Sequence, residues 1–319
     1  MRQQGVALVS VLLIVAIATV MAVTMVREQQ SAIQTARGYL ARGQAMQYAL
    51  GGEELARQIL YEDFAEGTGR DHLTEVWANP ELQFEFEEGE VNLMITDLQG
   101  LINLNSLADA NPGRELSRQR LVNLLLAVSI DQTLVDRVQD WIDEDTGNRP
   151  GGAEDFDYLA LDPPYRTSNQ PLASVTELRL MGLPPEQSAQ LMPWITALPT
   201  PEAPLNINTA PPGVLQSLSP SLTFAVAESL AITRDEQEGF ETVEAFLQAP
   251  ELAGLGIQGD GLGVQSSFFE VRVIARYQDK FSYLTSLVHR SRVDGSLQVL
   301  SRSFARSFRP AATTPKEDA

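Results

Sequence analysis

The alternation of apolar and polar positions divides this chain into stretches of different character. The first is an unbroken apolar run, Val6 through Val26 (VALVSVLLIVAIATVMAVTMV), softened only by Ser10, Thr19 and Thr24. It holds no charge, Gly or Pro. As a helix it would reach about 31 Å, the thickness of a bilayer's hydrocarbon core. Only MRQQG stands ahead of it. A secretory signal would have an apolar core of roughly 7–15 residues and a small-residue exit. This run is longer and passes directly into MVREQQSAIQTARGYL. Residues 27–62 continue a helical period, with Ile33, Leu40, Tyr48, Leu55 and Ile59 spaced among polar neighbours. Gly43, Gly51 and Gly52 each weaken that helix by about 1 kcal/mol against Ala, which predicts a kink near 51–52.

From residue 63 the period changes. LQFEFEEGEVNLMITDLQGLINLN (82–105) alternates, with turn signals at Glu88-Gly89 and Gln99-Gly100, and predicts two or three strands. Its Glu85, Glu87, Glu88 and Glu90 alternate with Phe84, Phe86 and Val91, the pattern of a solvated strand face rather than of paired catalytic acids. Residues 106–265 read as short helices broken by Pro and Gly. Within them LNINTAPPGVLQSLSPSLTFAVAESLAITRDEQEGFETVEAFLQ (205–248) has the plan of a helix-hairpin-helix unit. The segment beginning LINLNSLADANPGRELSRQRLVNLLLAVSI echoes it, with PLASVTELRL (171–180) answering GFETVEAFLQ (239–248). We therefore expect two diverged copies of one unit. Their hairpin turns, Val128–Asp131 and Ser219–Leu222, lack the glycines that would present backbone N–H groups to a phosphate. After Ser266 the alternation returns in three runs with turns at Asp279-Lys280 and Asp294-Gly295 and an excess of Arg, read as a sheet with a basic exposed face. Pro310–Ala319 reads as a disordered tail.

Charge narrows the functions. The 319 residues carry a net charge of -19 with a sequence pI of about 4.5, which disfavours nucleic acid and favours cations. With no cysteine, disulfides and thiolate chemistry are excluded, and His72 and His289 alone offer little for zinc. GLGIQG (254–259) matches a dinucleotide fingerprint, but a helix precedes it and strands follow, the reverse of what pyrophosphate binding requires.

The chemical signal is DWIDEDTGNRPGGAEDFDYLALD (140–162), in which Arg149 alone opposes eight carboxylates. So many acids in a Gly-rich loop either disperse in solvent or gather around a cation, and an oxygen-only donor set on irregular backbone suits calcium. Asp140, Asp143 and Asp145 can converge at a helix end, with Glu154, Asp155 and Asp157 closing from beyond the Gly151-Gly152 bend. As many as two ions are allowed for. The EF-hand pattern is only half met. A solvated loop and a calcium site remain as rival readings, with catalytic carboxylates as a weaker third.

A basic leader ending in Gly before an apolar helix resembles the type IV pilin class. The series WIDED…GAED…PPY…LASVTELR together with LNINTA is more specific, and over nearly the whole chain the sequence resembles the minor pseudopilin K family of bacterial type II secretion systems. The resemblance implies cleavage by prepilin peptidase between Gly5 and Val6, and an inner-membrane anchor with the soluble part in the periplasm. It also implies an α+β pilin-like fold, a long N-terminal helix on an antiparallel sheet, with a large α-helical insertion and a calcium-bound loop. The segments would be 1–5 leader, 6–26 membrane helix, 27–62 helix extension, 63–105 and 266–308 sheet, 106–265 insertion and 309–319 tail. Its partners would be minor pseudopilins I and J at the pseudopilus tip, other pseudopilins of the filament, and secreted proteins, with no nucleic acid. Most pilins carry Glu where this chain has Ser10. That Glu is thought to pair with the N-terminal ammonium of the subunit ahead, so its loss marks a subunit with nothing ahead of it. The alternative from another class is a membrane-anchored helix-hairpin-helix DNA-binding protein.

Overall fold

The computed structural model describes residues 4–67, 69–80 and 82–306; Met1–Gln3 of the leader and the expected tail at 309–319 lie outside these described residues. Helix α1 (Gln4–Glu66) is continuous over 63 residues, about 95 Å. Its large apolar side chains between Leu8 and Val26 are exposed, and this helix is long and apolar enough to cross a membrane. Toward its other end, Ala45, Ala49 and Ala56 are fully buried. The expected break at 51–52 is absent. A Cβ on Gly52 would lie 2.7 Å from Val273 and 2.8 Å from Val91, so this glycine lets the helix approach the sheet closely. Glu53, one residue on, is buried and receives Arg302 Nη2 at 2.7 Å and the Ser286 hydroxyl. Burial pushes its carboxyl up, but the Arg302 and Ser286 hydrogen bonds outweigh that and hold it below the usual range.

The sheet beneath α1 comes from two distant parts of the chain. Strands β1 (Leu82–Phe86) and β2 (Gly89–Asp97) form the first hairpin, and β2 alternates buried and partly exposed residues as its sequence predicts. The chain then leaves to build the insertion. Its first unit runs β3 (Ile102–Asn103), α2 (Arg114–Ala127), α3 (Thr133–Ile142), α4 (Asp155–Leu159), α5 (Pro185–Leu191) and β4 (Ile195–Thr196). Its second runs β5 (Leu205–Asn206), α6 (Pro212–Gln216), α7 (Phe224–Glu236), α8 (Val243–Leu247) and β6 (Leu262–Gly263). The chain returns as β7 (Phe268–Tyr277), β8 (Lys280–Arg290) and β9 (Leu297–Ser303), giving a five-stranded antiparallel sheet ordered β1-β2-β7-β8-β9. The third strand expected at the end of 82–105 exists as β3, but it pairs in parallel with β4 inside the insertion, not with the sheet.

The two units repeat one plan. In each, a short strand opens the unit and pairs in parallel with the strand that closes it, β3 with β4 and β5 with β6. Buried Asn105 donates through Nδ2 to Leu172 O (2.9 Å) and accepts from Leu172 N (2.8 Å). Buried Asn208 makes the same pair of bonds with Phe240, at 2.9 and 2.8 Å. Two residues beyond each clamp, Ser174 and Thr242 cap the next short helix. The correspondence of 171–180 with 239–248 is thus physical. The insertion and the helix–sheet layer each bury their own apolar core.

The arginines of the returning strands do not form a basic exposed face. Arg290 is 2% exposed; it is paired with Asp71 and, at 2.8 Å, with Asp63. Arg276 meets Glu90 at 2.8 Å, Arg272 meets Glu270 at 2.9 Å, and Arg302 serves Glu53. Each guanidinium meets an acid, which strand alternation alone does not reveal.

Candidate metal centre in the acidic loop

The loop's geometry starts from α3, which ends on a buried aromatic group. Trp141 packs edge-on against Tyr158 of α4 at 5.3 Å and donates through Nε1 to Glu177 at 3.1 Å. That anchorage sets Asp140 and Asp143 beneath the loop. Asp140 is fully buried, and Asp143 caps the helix end at 5% exposure. Arg149 closes over both. Its Nη1 donates to Asp140 Oδ1 at 2.6 Å and to Asp143 Oδ2, while its backbone N–H donates to Asp140 Oδ2 at 3.1 Å. The Gly151-Gly152 bend makes this possible, since a Cβ on Gly152 would fall 1.8 Å from Asp140 Oδ2.

Glu154, 4% exposed, lies among these acids. Burial and then the charges of Asp140 and Asp143 push its carboxyl up to about 7. Burial likewise raises Asp143 despite Arg149. One oxygen of each, Asp143 Oδ1 and Glu154 Oε1, is buried without a hydrogen-bond partner. An orphaned buried carboxylate oxygen is costly, and two at one site fit an oxygen-liganded cation.

The remaining expected ligands sit at the rim. Asp145 is exposed and accepts from Gly147 N at 2.6 Å. Asp157 accepts from Glu154 N at 3.0 Å and from Asn148 at 3.1 Å, bracing the loop from α4. Asp155 is engaged elsewhere: Oδ1 accepts from Thr167 N and Oγ1, and Oδ2 from Arg166. The Thr167 bonds, with Arg166, hold its carboxyl below the usual range. Sequence reasoning missed Asp109. It lies far back in the chain, yet it offers an oxygen within 4.8 Å of oxygens from Asp143 and Asp145. No spacing pattern announces it, because the first unit's fold, not the loop, brings it there. Gly5 and Val6 fall in the first turn of α1, with their side chains outside the described residues, and Ser10 is exposed on the apolar run.

The hairpins that would carry DNA binding have spent their donors internally. Ser129 N bonds Leu126 O at 3.2 Å, Ile130 N bonds Leu125 O at 2.9 Å, and Leu222 N bonds Ser219 O at 3.0 Å. With the acidic surroundings this removes the phosphate cradle the motif requires.

Comparison with known proteins converges on one family. Residues 100–200 and 205–265 match two family models described as type II secretion system protein K, one for each unit of the insertion. The type II secretion system protein K of Pseudomonas aeruginosa is 34% identical, over 99% of this chain and 97% of its own length. That of Aeromonas hydrophila is 32% identical over 94% and 97%. Among solved structures, a chain from the GspK-GspI-GspJ complex of the enterotoxigenic Escherichia coli type 2 secretion system superposes with a TM-score of 0.74. It is 26% identical and matches over 86% of this chain and 100% of its own.

Proposed function

The chain belongs to the type II secretion system protein K family and is a minor pseudopilin, and from that premise we propose that it nucleates and caps the pseudopilus tip together with minor pseudopilins I and J. The observation that carries this reading is the match to the full length of a chain crystallised in a GspK-GspI-GspJ complex. The role is mechanical and not catalytic: the filament pushes folded proteins across the outer membrane. In this reading α1 holds the subunit in the inner membrane, the rest lies in the periplasm, and prepilin peptidase cuts between Gly5 and Val6. Other pseudopilins of the filament then pack below it, with Ser10 in place of the usual Glu because no subunit stands ahead.

Calcium is the cation that suits the loop. Asp140, Asp143 and Glu154 would supply buried oxygens, with Asp145 at the rim and Asp157 bracing. Bound there, the ion would supply charge neutralisation and rigidity to the first unit.

The tip assignment is tested by cross-linking. The chain has no cysteine, so single cysteines at Tyr39 and Leu40, both exposed on α1 beyond the apolar run, report contacts cleanly. In membranes containing the whole secretion system they are expected to cross-link to minor pseudopilin I or J. Cross-links to neither would sink the proposal.

A further inference from the structure

Arg149 is the only basic residue between Asp140 and Asp162, and it occupies the centre of the acids. Its Nη1 bridges Asp140 and Asp143, and its backbone N–H holds the other oxygen of Asp140. Beside it, Glu154 Oε1 and Asp143 Oδ1 are left without hydrogen-bond partners. One monovalent head thus serves a group of three buried carboxylates. A guanidinium has only donors and no lone pair to offer a metal, so it cannot be a ligand. It also cannot remain between Asp140 and Asp143 while an ion uses the same oxygens. An exit exists, since Arg149 Nη2 already lies 3.9 Å from the carboxylate of exposed Asp109, which it would share with Arg114.

We propose that Arg149 is the resident counter-ion of the loop, seated between Asp140 and Asp143 where a divalent cation would bind and displaced toward the Asp109 rim when that cation enters. This rests on the calcium reading. It explains how so acidic a loop stays folded before the ion arrives. It also makes Arg149 the residue that sets the affinity: the ion competes with a built-in cation, so its apparent binding weakens by the free energy of that contact.

The experiment compares the full chain in detergent with Arg149→Gln, using calcium titration by calorimetry and thermal unfolding in chelator and in excess calcium. The variant is expected to bind calcium about tenfold more tightly. It should melt below wild type in chelator and level with it in calcium. A second measurement needs no variant: phenylglyoxal modification of Arg149, read by mass, should rise several-fold when calcium is added to wild type. Equal or weaker binding by the variant, or protection of Arg149 by calcium, would overturn the proposal and make Arg149 a permanent strap, with the calcium site intact. If wild type takes up no calcium and its melting is indifferent to chelator, the calcium reading fails, and this proposal with it.

Discussion

Asp97 shows how a single side chain joins the two halves of the molecule. It ends β2, is buried, and accepts four hydrogen bonds. Its Oδ2 receives Thr209 Oγ1 (2.5 Å), Ser266 Oγ (2.6 Å) and Asn206 Nδ2 (3.0 Å), and its Oδ1 receives Gln99 N (2.7 Å). Burial, with help from the charge of Asp71, nevertheless raises its carboxyl to about 6. A folded-state value above the unfolded 3.8 means the native chain holds the proton more tightly. Stability from this group therefore rises as pH falls through 6 and levels off below about 4. Asp63, also raised to about 6 by burial and then by Glu75, acts in the same direction. Urea unfolding in chelator is expected to give a more stable chain at pH 5 than at pH 7.5. Asp97→Asn should lose roughly 1–1.5 kcal/mol of that gain. A variant keeping the full difference would remove Asp97 from the junction's titration. At this scale the sequence was only half legible. The acidity of 140–162 announced a candidate cation loop or a solvated one, but neither Asp109 beside it nor the distant partners of Asp97 could be read from local spacing. Asp109, and every partner of Asp97 but Gln99, is brought in by chain reversals more than a dozen residues away.

At the scale of elements, the repeat is what the sequence expressed most clearly, because the same local solution had to be encoded twice. Asn105 and Asn208 each tie an opening strand to a segment that starts a helix two residues later. An amide side chain is suited to this, since it donates to the carbonyl and accepts from the N–H of one residue. The two clamps are not equal. Asn105 also donates to Leu198 O at 2.8 Å, joining three segments where Asn208 joins two. Asn208→Ala is expected to lower unfolding free energy by roughly 2–3 kcal/mol, and Asn105→Ala by more, because buried backbone groups of Leu172 and Leu198 are left unpaired. Denaturant midpoints measure both, and the reverse ranking would contradict the clamp assignment. The kink expected in α1 was misread because Gly52 has two physical uses. Helix propensity penalises it, yet a sheet lying this close leaves no room for a side chain, and tertiary packing prevails.

Across the whole molecule, one helix belongs to two environments. Its apolar half exposes Leu8 through Val26, while its other half buries Ala45, Ala49, Gly52 and Ala56 against a sheet closed by strands from either side of the insertion. The domain thus depends on α1 for its core, so in the proposed assembly extraction into a filament would move helix and domain together. The sequence conveyed this division through a change of periodicity, but not the closeness of the helix–sheet contact, which small residues alone permit. The proposed processing is consistent with the same division. A leader left ahead of Val6 would put Arg2 at the head of an apolar helix meant to pack among other apolar helices, where an unpaired charge is costly. Removal after Gly5 would leave only the new amino group, and Ser10 offers no carboxylate to a neighbour's. The mass of the chain isolated from membranes with active prepilin peptidase is therefore expected to begin at Val6 and to carry one methyl group. A chain retaining Met1 there, while still entering the filament, would show that the leader is compatible with assembly and that the Gly5–Val6 boundary is not a processing site.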